Sequence, residues 1–440
     1  MEKNLQSAAE AEVAQLCAEL IRIRSENYGT GEGPGEREAA EYVVGRLQEV
    51  GYDPIILESE PGRASVFLNV PGADQTRPAM VVHGHLDVVP ADAKDWQVDP
   101  YEGVIQDGMV WGRGAVDMKD MDAVFLAVLR QRARENRPPA RNLIVAFFAD
   151  EEAGGLFGAN WWARRRPELF AGATEAVSEV GGFSVTVNGR RAYLLQTAEK
   201  GIAWLRLIAE GTAGHGSAIN RDNALVELTQ ALNRIIAEPW PIRLQPAVQE
   251  LLQGVADLTG LKFDPREEDS IREMLEALGP ANRFVGSSIS TVANLTQLHA
   301  GYKTNVIPGE ASATIDVRPL PGDEAQVFAR IQELVGPKVR IEPEYRTEGI
   351  SAPASGPLYQ AMTESLLAAD PQAVVLPYML SGGTDNKPLA GLGITGYGFA
   401  PLQLPPELDF TAMFHGVDER VPVASLQFGA RVFDDFLDRI

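Results

Sequence analysis

The sequence VVHGHLD, residues 81–87, sets the architecture that we predict for this chain. Apolar residues at 79–82 indicate a buried strand, which we expect to break into a turn at His83. Side-chain alternation in that turn places His83, His85 and Asp87 on one side. A carboxylate two residues from a histidine can accept the second ring N–H and fix the tautomer of a metal-ligating imidazole. The stretch therefore indicates a metal ligand at a strand end, although such a histidine, taken alone, is more often structural.

Short apolar segments alternate with helical segments around this stretch. We predict strands at residues 55–57, 65–70, 142–148 and 173–177, and helices at 10–24, 36–50 and 118–134. This alternation predicts an α/β sheet with helices on both faces. Ligands of such sheets bind beyond the carboxyl ends of the strands, where Asp150, Glu151, Glu152 and Glu179 follow two of the predicted strands.

The pattern changes after residue 198. We predict strands at 202–209, 288–295, 312–318 and 339–344, with helices at 223–237 and 323–335, which together indicate a small α+β domain. A proline-punctuated helical segment at 239–282 interrupts it. The first domain resumes near residue 350, with a strand at 374–376, and ends with an amphipathic helix at 423–437. We therefore predict one domain from residues 1–198 and 350–440, and a second, inserted domain at 199–349.

Composition excludes several functional classes. The chain has 440 residues, with 39 Lys and Arg against 61 Asp and Glu, and a net charge of −22. This balance argues against nucleic acid or an anionic membrane as a partner. The densest basic run, residues 164–166, is interpreted as a solvated helix face. The single cysteine, Cys17, excludes an internal disulfide and a cysteine-based metal site.

Two other segments carry negative predictions. The N-terminal sequence MEKNLQSAAEAEVAQL contains no apolar run suited to a signal peptide, and no stretch reaches membrane-spanning length. We therefore expect a cytoplasmic protein. The glycine-rich segment GTGEGPG, residues 29–35, follows a predicted helix rather than a strand, so the geometry of a nucleotide phosphate cradle is missing.

Further candidate ligands occur in short polar motifs. Asp117 in WGRGAVDMKD stands where a helix begins; it is either an N-cap or a carboxylate that bridges two cations. Residues 150–152 place three adjacent carboxylates beside a buried strand, which is costly unless a positive group compensates. One glutamate of this run would bind metal and its neighbour would act as general base. Glu179 in SEVGG and His415 in FHGVDE are weak signals taken singly.

Taken together and in this order, HGHLDVVP, GRGAVDMKD, ADEEAGG, SEVGG, GHGS and FHGVDE resemble the motifs of the co-catalytic dizinc exopeptidases and deacylases. That superfamily includes acetylornithine deacetylase, succinyl-diaminopimelate desuccinylase, aminoacylase and glutamate carboxypeptidase. The resemblance covers nearly the whole chain except residues 239–282. It implies a three-layer α/β catalytic domain of the zinc-exopeptidase type with an inserted α+β lid and dimerisation domain, and hence a homodimer.

The resemblance also implies a role for each motif. His85 and Glu179 would bind one zinc ion, Glu152 and His415 the other, and Asp117 would bridge the two. Asp87 would hold His85, and Glu151 would be the general base that takes a proton from water bridging the ions. Imidazole and carboxylate suit zinc, although cobalt or manganese would fit the same ligands.

Four residues of the substrate site follow from the same resemblance. His215 in GTAGHGS would reach the partner subunit's site and stabilise the oxyanion. Asn305 and Arg318 would line the substrate site, where an arginine fork suits a carboxylate. The segment SGGTDNK, which contains Gly383, resembles a glycine-rich loop whose backbone N–H groups hold a carboxylate.

These residues predict a zinc-dependent hydrolase that cleaves an amide bond adjacent to a free carboxylate, in a small molecule or short peptide. A glutamate at the position of Glu179 goes mostly with deacylases and carboxypeptidases of this superfamily, which favours an N-acyl-amino-acid deacylase or a metallo-carboxypeptidase. A dipeptidase or aminopeptidase that reads a free amine is the alternative. A non-catalytic metal-binding relative is disfavoured because Glu151 and all five ligands are present.

Overall fold

The computed structural model describes residues 6–29 and 32–440. Residues 1–5 of the N-terminal segment, and Thr30 and Gly31 of the glycine-rich segment, lie outside the described residues, so the predictions on those two segments are covered only in part. The helices are α1 (Ala8–Arg22), α2 (Arg37–Gln48), α3 (Lys119–Arg134), α4 (Ala159–Arg165), α5 (Ala224–Ile236), α6 (Pro246–Thr259), α7 (Glu268–Ala277), α8 (Asn282–Val285), α9 (Glu324–Val335), α10 (Pro357–Ala369), α11 (Asn386–Ala390) and α12 (Val423–Arg439). Over the described ranges, no helix has the length and apolar character needed to cross a membrane.

The strands form a large mixed sheet, a smaller antiparallel sheet of four strands, and two minor sheets of two and three strands. They are β1 (Ile55–Glu58), β2 (Ala64–Val70), β3 (Ala79–His85), β4 (Val104–Gln106), β5 (Met109–Trp111), β6 (Leu143–Phe148), β7 (Ala173–Ser178), β8 (Phe183–Val187), β9 (Arg190–Glu199), β10 (Ile202–Glu210), β11 (Gly214–His215), β12 (Val292–Ala300), β13 (Val306–Ile307), β14 (Glu310–Arg318), β15 (Val339–Thr347), β16 (Ile350–Ser351), β17 (Val374–Leu380), β18 (Thr395–Gly398) and β19 (Arg420–Pro422).

The large sheet has the order β1-β2-β6-β3-β7-β18-β9-β16, and β8 and β17 also pair with β9. At its centre β3 runs parallel to both β6 and β7. Along β6, Ile144 and Phe148 face one apolar core while Val145 and Phe147 face another. Both faces of this strand are therefore covered, as its continuous apolar run predicts. The predicted α/β sheet with helices on both faces is confirmed.

The smaller sheet has the order β12-β14-β10-β15 and is antiparallel throughout. Apolar residues of α5 and α9 form a separate core against it, which confirms the inserted α+β unit. The boundaries at residues 199 and 349 stay predictions. Ile350 of β16 pairs with Glu199 of β9, so the chain leaves and re-enters the large sheet at one place.

The helical segment predicted at 239–282 packs differently from the rest of the inserted domain to which we assigned it. Its helix α6, and the short helix α8 at its end, contact β17 of the large sheet. Val248, Leu251, Leu252 and Val255 share a core with that sheet rather than with the smaller one. Helical periodicity shows that α6 has an apolar face, but it does not show which sheet covers that face.

Several element boundaries differ from the predictions. The strand expected to break at His83 continues through His85, because residues 83–85 pair with residues 146–148 of β6. The strand predicted at 288–295 begins instead at Val292 and extends to Ala300, and residues 286–289 form a 3₁₀ turn. Strands β8 and β9 were not predicted, since a polar turn separates two short segments without clear alternation.

Leu252 tests whether α6 belongs to the core of the large sheet. Its side chain is fully buried, so Leu252→Ala should lower the free energy of unfolding by about 2–5 kcal/mol, the usual cost of a cavity of this size. Chemical denaturation followed by far-UV circular dichroism measures the change. Val226→Ala on the half-exposed side of α5 is the control, and an equal effect of the two substitutions would contradict the packing described here.

Candidate metal centre and catalytic cleft

The central parallel strands bring distant motifs to one edge of the large sheet. His85 is the last residue of β3, Glu151 and Glu152 begin the turn after β6, and Glu179 directly follows β7. Carboxyl ends of neighbouring parallel strands lie at the same edge, so these side chains converge. The remaining two candidates, Asp117 and His415, precede α3 and β19 respectively, and reach the same edge from loops.

The five predicted ligands form two groups that share one residue. His85, Asp117 and Glu179 make up the first group, and Asp117, Glu152 and His415 the second, with the candidate ligand atoms of each group within 4.8 Å of one another. His85 Nε2 lies 3.0 Å from Asp117 Oδ1, and His415 Nε2 lies 3.3 Å from Asp117 Oδ2. Asp117 therefore presents one oxygen to each imidazole, as a bridging carboxylate would.

Glutamate oxygens complete both groups. Glu179 Oε2 lies 3.6 Å from His85 Nε2, and Glu152 Oε2 lies 3.1 Å from His415 Nε2. The other oxygen of Glu152, Oε1, is buried without a hydrogen-bond partner in the described part of the chain. Imidazole nitrogen and carboxylate oxygen together are a donor set that zinc accepts. The residues fit a pair of metal ions, and their assignment as ligands stays a prediction.

The charges in this cluster are unbalanced. Burial, followed by repulsion from Asp117, raises the pKa of Glu179 to about 7. Burial and the nearby Glu179 likewise raise the pKa of Glu151 well above its ordinary range. Hydrogen bonds to Asp117 and Glu152 raise the pKa of His415 to about 10. Buried carboxylates thus outnumber the imidazoles in this cluster. Additional positive charge would stabilise the ionised carboxylates.

Asp87 lies behind His85, but its carboxylate, which the sequence predicts as the acceptor of the second ring N–H, is not the nearest acceptor. The nearest acceptor for His85 Nδ1 is the backbone carbonyl of Asp87, at 3.0 Å, whereas the Asp87 carboxylate Oδ1 is 3.6 Å away. With its proton on Nδ1, the ring leaves Nε2 free to bind a metal. The Asp87 carboxylate instead accepts the backbone N–H groups of Glu151, at 3.1 Å, and Glu152, at 3.0 Å. It therefore holds the turn that carries both glutamates.

A cleft opens in front of the metal-centre candidates. Glu151, Glu152 and His415 line it on the side of the large sheet, and Arg318 lines it on the side of the smaller sheet. The Asp316 carboxylate accepts hydrogen bonds from Nε and Nη2 of Arg318, at 2.6 and 2.8 Å, and so fixes the plane of the guanidinium. Gly383 also lines the cleft, next to the ammonium of the buried Lys387.

Some cleft residues were not predicted from the sequence. Trp204 and Tyr345, on neighbouring strands of the smaller sheet, form an aromatic wall with ring centroids 4.9 Å apart. No local motif marks either residue. Lys387 and Asp385 also line the cleft. Both belong to the segment SGGTDNK, and its resemblance to a substrate loop is the sequence feature that could have identified them.

His215 and Asn305 lie elsewhere. Both are exposed: His215 ends β11, Asn305 directly precedes β13, and Gly216 N donates to the Asn305 carbonyl. Neither is among the residues that line the cleft of the same chain. His215 Nδ1 lies 2.8 Å from the Ser217 hydroxyl, so Nε2 is the ring nitrogen left for any other contact.

Comparisons with known proteins agree with this geometry. Residues 81–439 match the model of peptidase family M20/M25/M40. N-fatty-acyl-amino acid synthase/hydrolase PM20D1 of Bos taurus is 27% identical over 417 residues, which cover 91% of this chain and 82% of the relative. Aminoacylase-1 of Sus scrofa is 26% identical, with coverage of 97% and 94%.

A solved structure shows the same fold. The M20 family metallo-carboxypeptidase Sso-CP2 of Sulfolobus solfataricus superimposes with a TM-score of 0.74 at 17% sequence identity, covering 97% of this chain and 99% of that one. The catalytic sheet, the separate antiparallel sheet and the paired histidine and carboxylate groups are thus accounted for together: the chain belongs to peptidase family M20/M25/M40 and is a metallo-hydrolase.

Proposed function

We propose that the chain hydrolyses N-acyl-amino acids, releasing the carboxylic acid and the free amino acid. The observation that carries this proposal is the cleft itself, in which Glu151 and the fixed guanidinium of Arg318 face the same space. A base and a carboxylate-binding cation in one cleft suit an amide bond beside a free carboxylate. The names of the relatives, aminoacylase-1 and N-fatty-acyl-amino acid synthase/hydrolase, support this class of substrate.

Two zinc ions are the proposed cofactors. His85 and Glu179 would hold one ion, Glu152 and His415 the other, and Asp117 would bind both. When bound, the ions supply Lewis-acid polarisation of the amide carbonyl and lower the pKa of water. Cobalt or manganese would fit the same nitrogen and oxygen donors.

Glu151 is the proposed general base. Its carboxylate lines the cleft and is not a member of either candidate ligand group, so it remains free to exchange a proton. It would accept a proton from the attacking water and then donate that proton to the nitrogen of the departing amino acid. Asp87 supports this role because it holds the backbone N–H of Glu151.

The substrate carboxylate would bind at the far end of the cleft. Arg318 offers a fork whose plane Asp316 fixes, and Lys387 places a second, buried cation beside Gly383. Trp204 and Tyr345 provide an apolar wall against which the side chain or the acyl group of the substrate would pack.

A homodimer through the inserted domain would complete the site. Strand β12 lies at the edge of the smaller sheet and pairs only with β14 among the described residues. Its Leu295 and Leu298 are 39% and 59% exposed. Exposed apolar side chains on an edge strand are a common site of pairing with another chain. Pairing of this edge with a second copy would bury them and would bring His215 and Asn305 towards the partner's cleft.

A paired substrate panel tests the proposed function. N-acyl-amino acids should be hydrolysed in preference to dipeptides with a free amine, and a chelator should abolish the activity until zinc is returned. Liquid chromatography of the released amino acid measures both reactions. A preference for free dipeptides would instead favour the alternative, a dipeptidase. Peptides with a blocked N-terminus and a free carboxyl end distinguish a carboxypeptidase from a deacylase of small acyl groups.

Glu151→Gln tests the general base. The substitution keeps the size of the side chain but removes its ability to accept a proton, so kcat should fall by about a hundred- to ten-thousand-fold. Zinc content, measured by atomic emission, should stay at two ions per chain, because Glu151 is not among the proposed ligands. Turnover near the level of the unmodified protein would remove Glu151 from the mechanism.

Mixed dimers test whether His215 acts across the interface. A Glu151→Gln chain and a His215→Ala chain should each be inactive alone. After unfolding and refolding together, roughly a quarter of the sites should regain activity, because half of the dimers are mixed and each mixed dimer has one complete site. Arg318→Met in place of His215→Ala is the control: Arg318 serves its own cleft, so mixing should restore nothing. Absence of recovery with His215→Ala would place that residue in its own chain's site.

A further inference from the structure

A buried polar network that the proposed reaction does not use lies behind Asp87. It contains Asn27, Glu36, Arg63 and Asp150, whose exposed fractions are 5%, 0%, 7% and 2%. None of the four lines the cleft or belongs to the candidate ligand groups. We propose that Asn27, held by Arg63, is a positioning residue that fixes the turn bearing Glu151 and Glu152. This inference rests on the proposed function of Glu151.

The side-chain amide of Asn27 joins the two carboxylates that flank this turn. Its Nδ2 donates to Asp87 Oδ2 at 2.9 Å and to Asp150 Oδ1 at 3.0 Å. Both hydrogens of the amide are therefore used, one on each carboxylate. Ionised carboxylates only accept hydrogen bonds, so the orientation of the amide is determined by its surroundings.

The side-chain oxygen of Asn27 accepts hydrogen bonds from two other groups. Asn27 Oδ1 accepts the backbone N–H of Gly29 at 3.0 Å and Arg63 Nη2 at 3.4 Å. Arg63 Nη1 in turn donates to Glu36 Oε1 at 2.6 Å and lies 3.7 Å from Asp150 Oδ1. Arg63 thus supplies the positive charge for Glu36 and Asp150 while it fixes Asn27.

Gly35, the last residue of the glycine-rich segment, also contributes to this network. Gly35 has φ +73°, and a Cβ atom at this position would lie 2.6 Å from the Gly62 carbonyl oxygen. The close approach allows Glu36 N to donate to Gly62 O at 3.0 Å, which places Glu36 beside Arg63. Gly35 and Glu36 therefore pack against the rest of the network.

The network acts on catalysis through two carboxylates. Asp87 accepts the N–H groups of both Glu151 and Glu152, and Asp150 Oδ2 accepts the N–H of Phe157 at 2.8 Å, on the far side of the turn. Without the Asn27 amide, Asp87 and Asp150 would lose the donor between them and repel each other. The turn would shift, and with it the carboxylates of Glu151 and Glu152.

Substitution of Asn27, with matched controls, tests this inference. Asn27→Ala removes the bridge, and Asn27→Asp keeps its shape but replaces two donors with an acceptor. Asn142→Ala is the control for loss of stability, since the side chain of Asn142 is half-buried and accepts the backbone N–H of Gly72 at 2.9 Å. Arg63→Met is compared with Arg132→Met, because Arg132 is also buried but pairs with Asp434 and Asp438.

Three quantities test the variants: zinc affinity, from competition with a chelator; kcat and KM, from steady-state kinetics at saturating zinc; and the temperature of thermal unfolding. Both Asn27 variants and Arg63→Met should weaken zinc binding about tenfold or more and lower kcat by a similar factor, while KM stays within about twofold. The controls should lose comparable thermal stability yet keep zinc affinity and kcat. This difference between the variants and their controls separates a positioning role from a purely structural one.

Zinc affinity and kcat of Asn27→Ala that equal those of Asn142→Ala would overturn the inference. If Asn27→Ala does not fold, Asn27→Ser, which retains one donor, is judged by the same criteria. If the unmodified protein cleaves no N-acyl-amino acid, the proposed function fails, whereas the zinc affinities of the variants still decide the role of Asn27.

Discussion

Burial of like charge at one edge of a sheet is the constraint on which this structure depends. Four carboxylates, those of Asp117, Glu151, Glu152 and Glu179, lie within reach of only two imidazoles. Such a group is stable only when cations, or donors fixed by the protein, offset the repulsion. A pair of metal ions would offset this charge. Behind the cluster, Asn27 donates to two further carboxylates, those of Asp87 and Asp150, and Arg63 lies near Asp150.

The sheet supplies the rigidity that this arrangement needs. Strands β3, β6 and β7 are parallel neighbours, and β6 is packed by apolar side chains on both faces. A metal pair and a general base require positions held to a fraction of an ångström, which strand ends provide better than free loops. The helices α6 to α8 add to this core although they interrupt the inserted domain in sequence.

Both sheets and their loops contribute residues to the lining of the cleft. Arg318, Trp204 and Tyr345 all come from the smaller sheet, whereas Glu151 and the candidate ligands come from the larger one or its loops. Because β9 and β16 meet where the chain crosses between the sheets, relative movement of the two sides would open or close the cleft about that point.

Much of the fold and most of the candidate site follow from the sequence. Buried strands, the α/β alternation and motifs such as HGHLD and DEE depend on neighbours within a few residues, so periodicity and spacing reveal them. The bridge from Asn27 to Asp87 and Asp150, the aromatic pair Trp204–Tyr345 and the docking of α6 on β17 could not be predicted in this way. Each joins segments distant in sequence through contacts that no local pattern encodes. The sequence by itself determined which groups are present and on which elements they stand; only the tertiary structure decided which of them meet, because partners are chosen by the packing of distant segments.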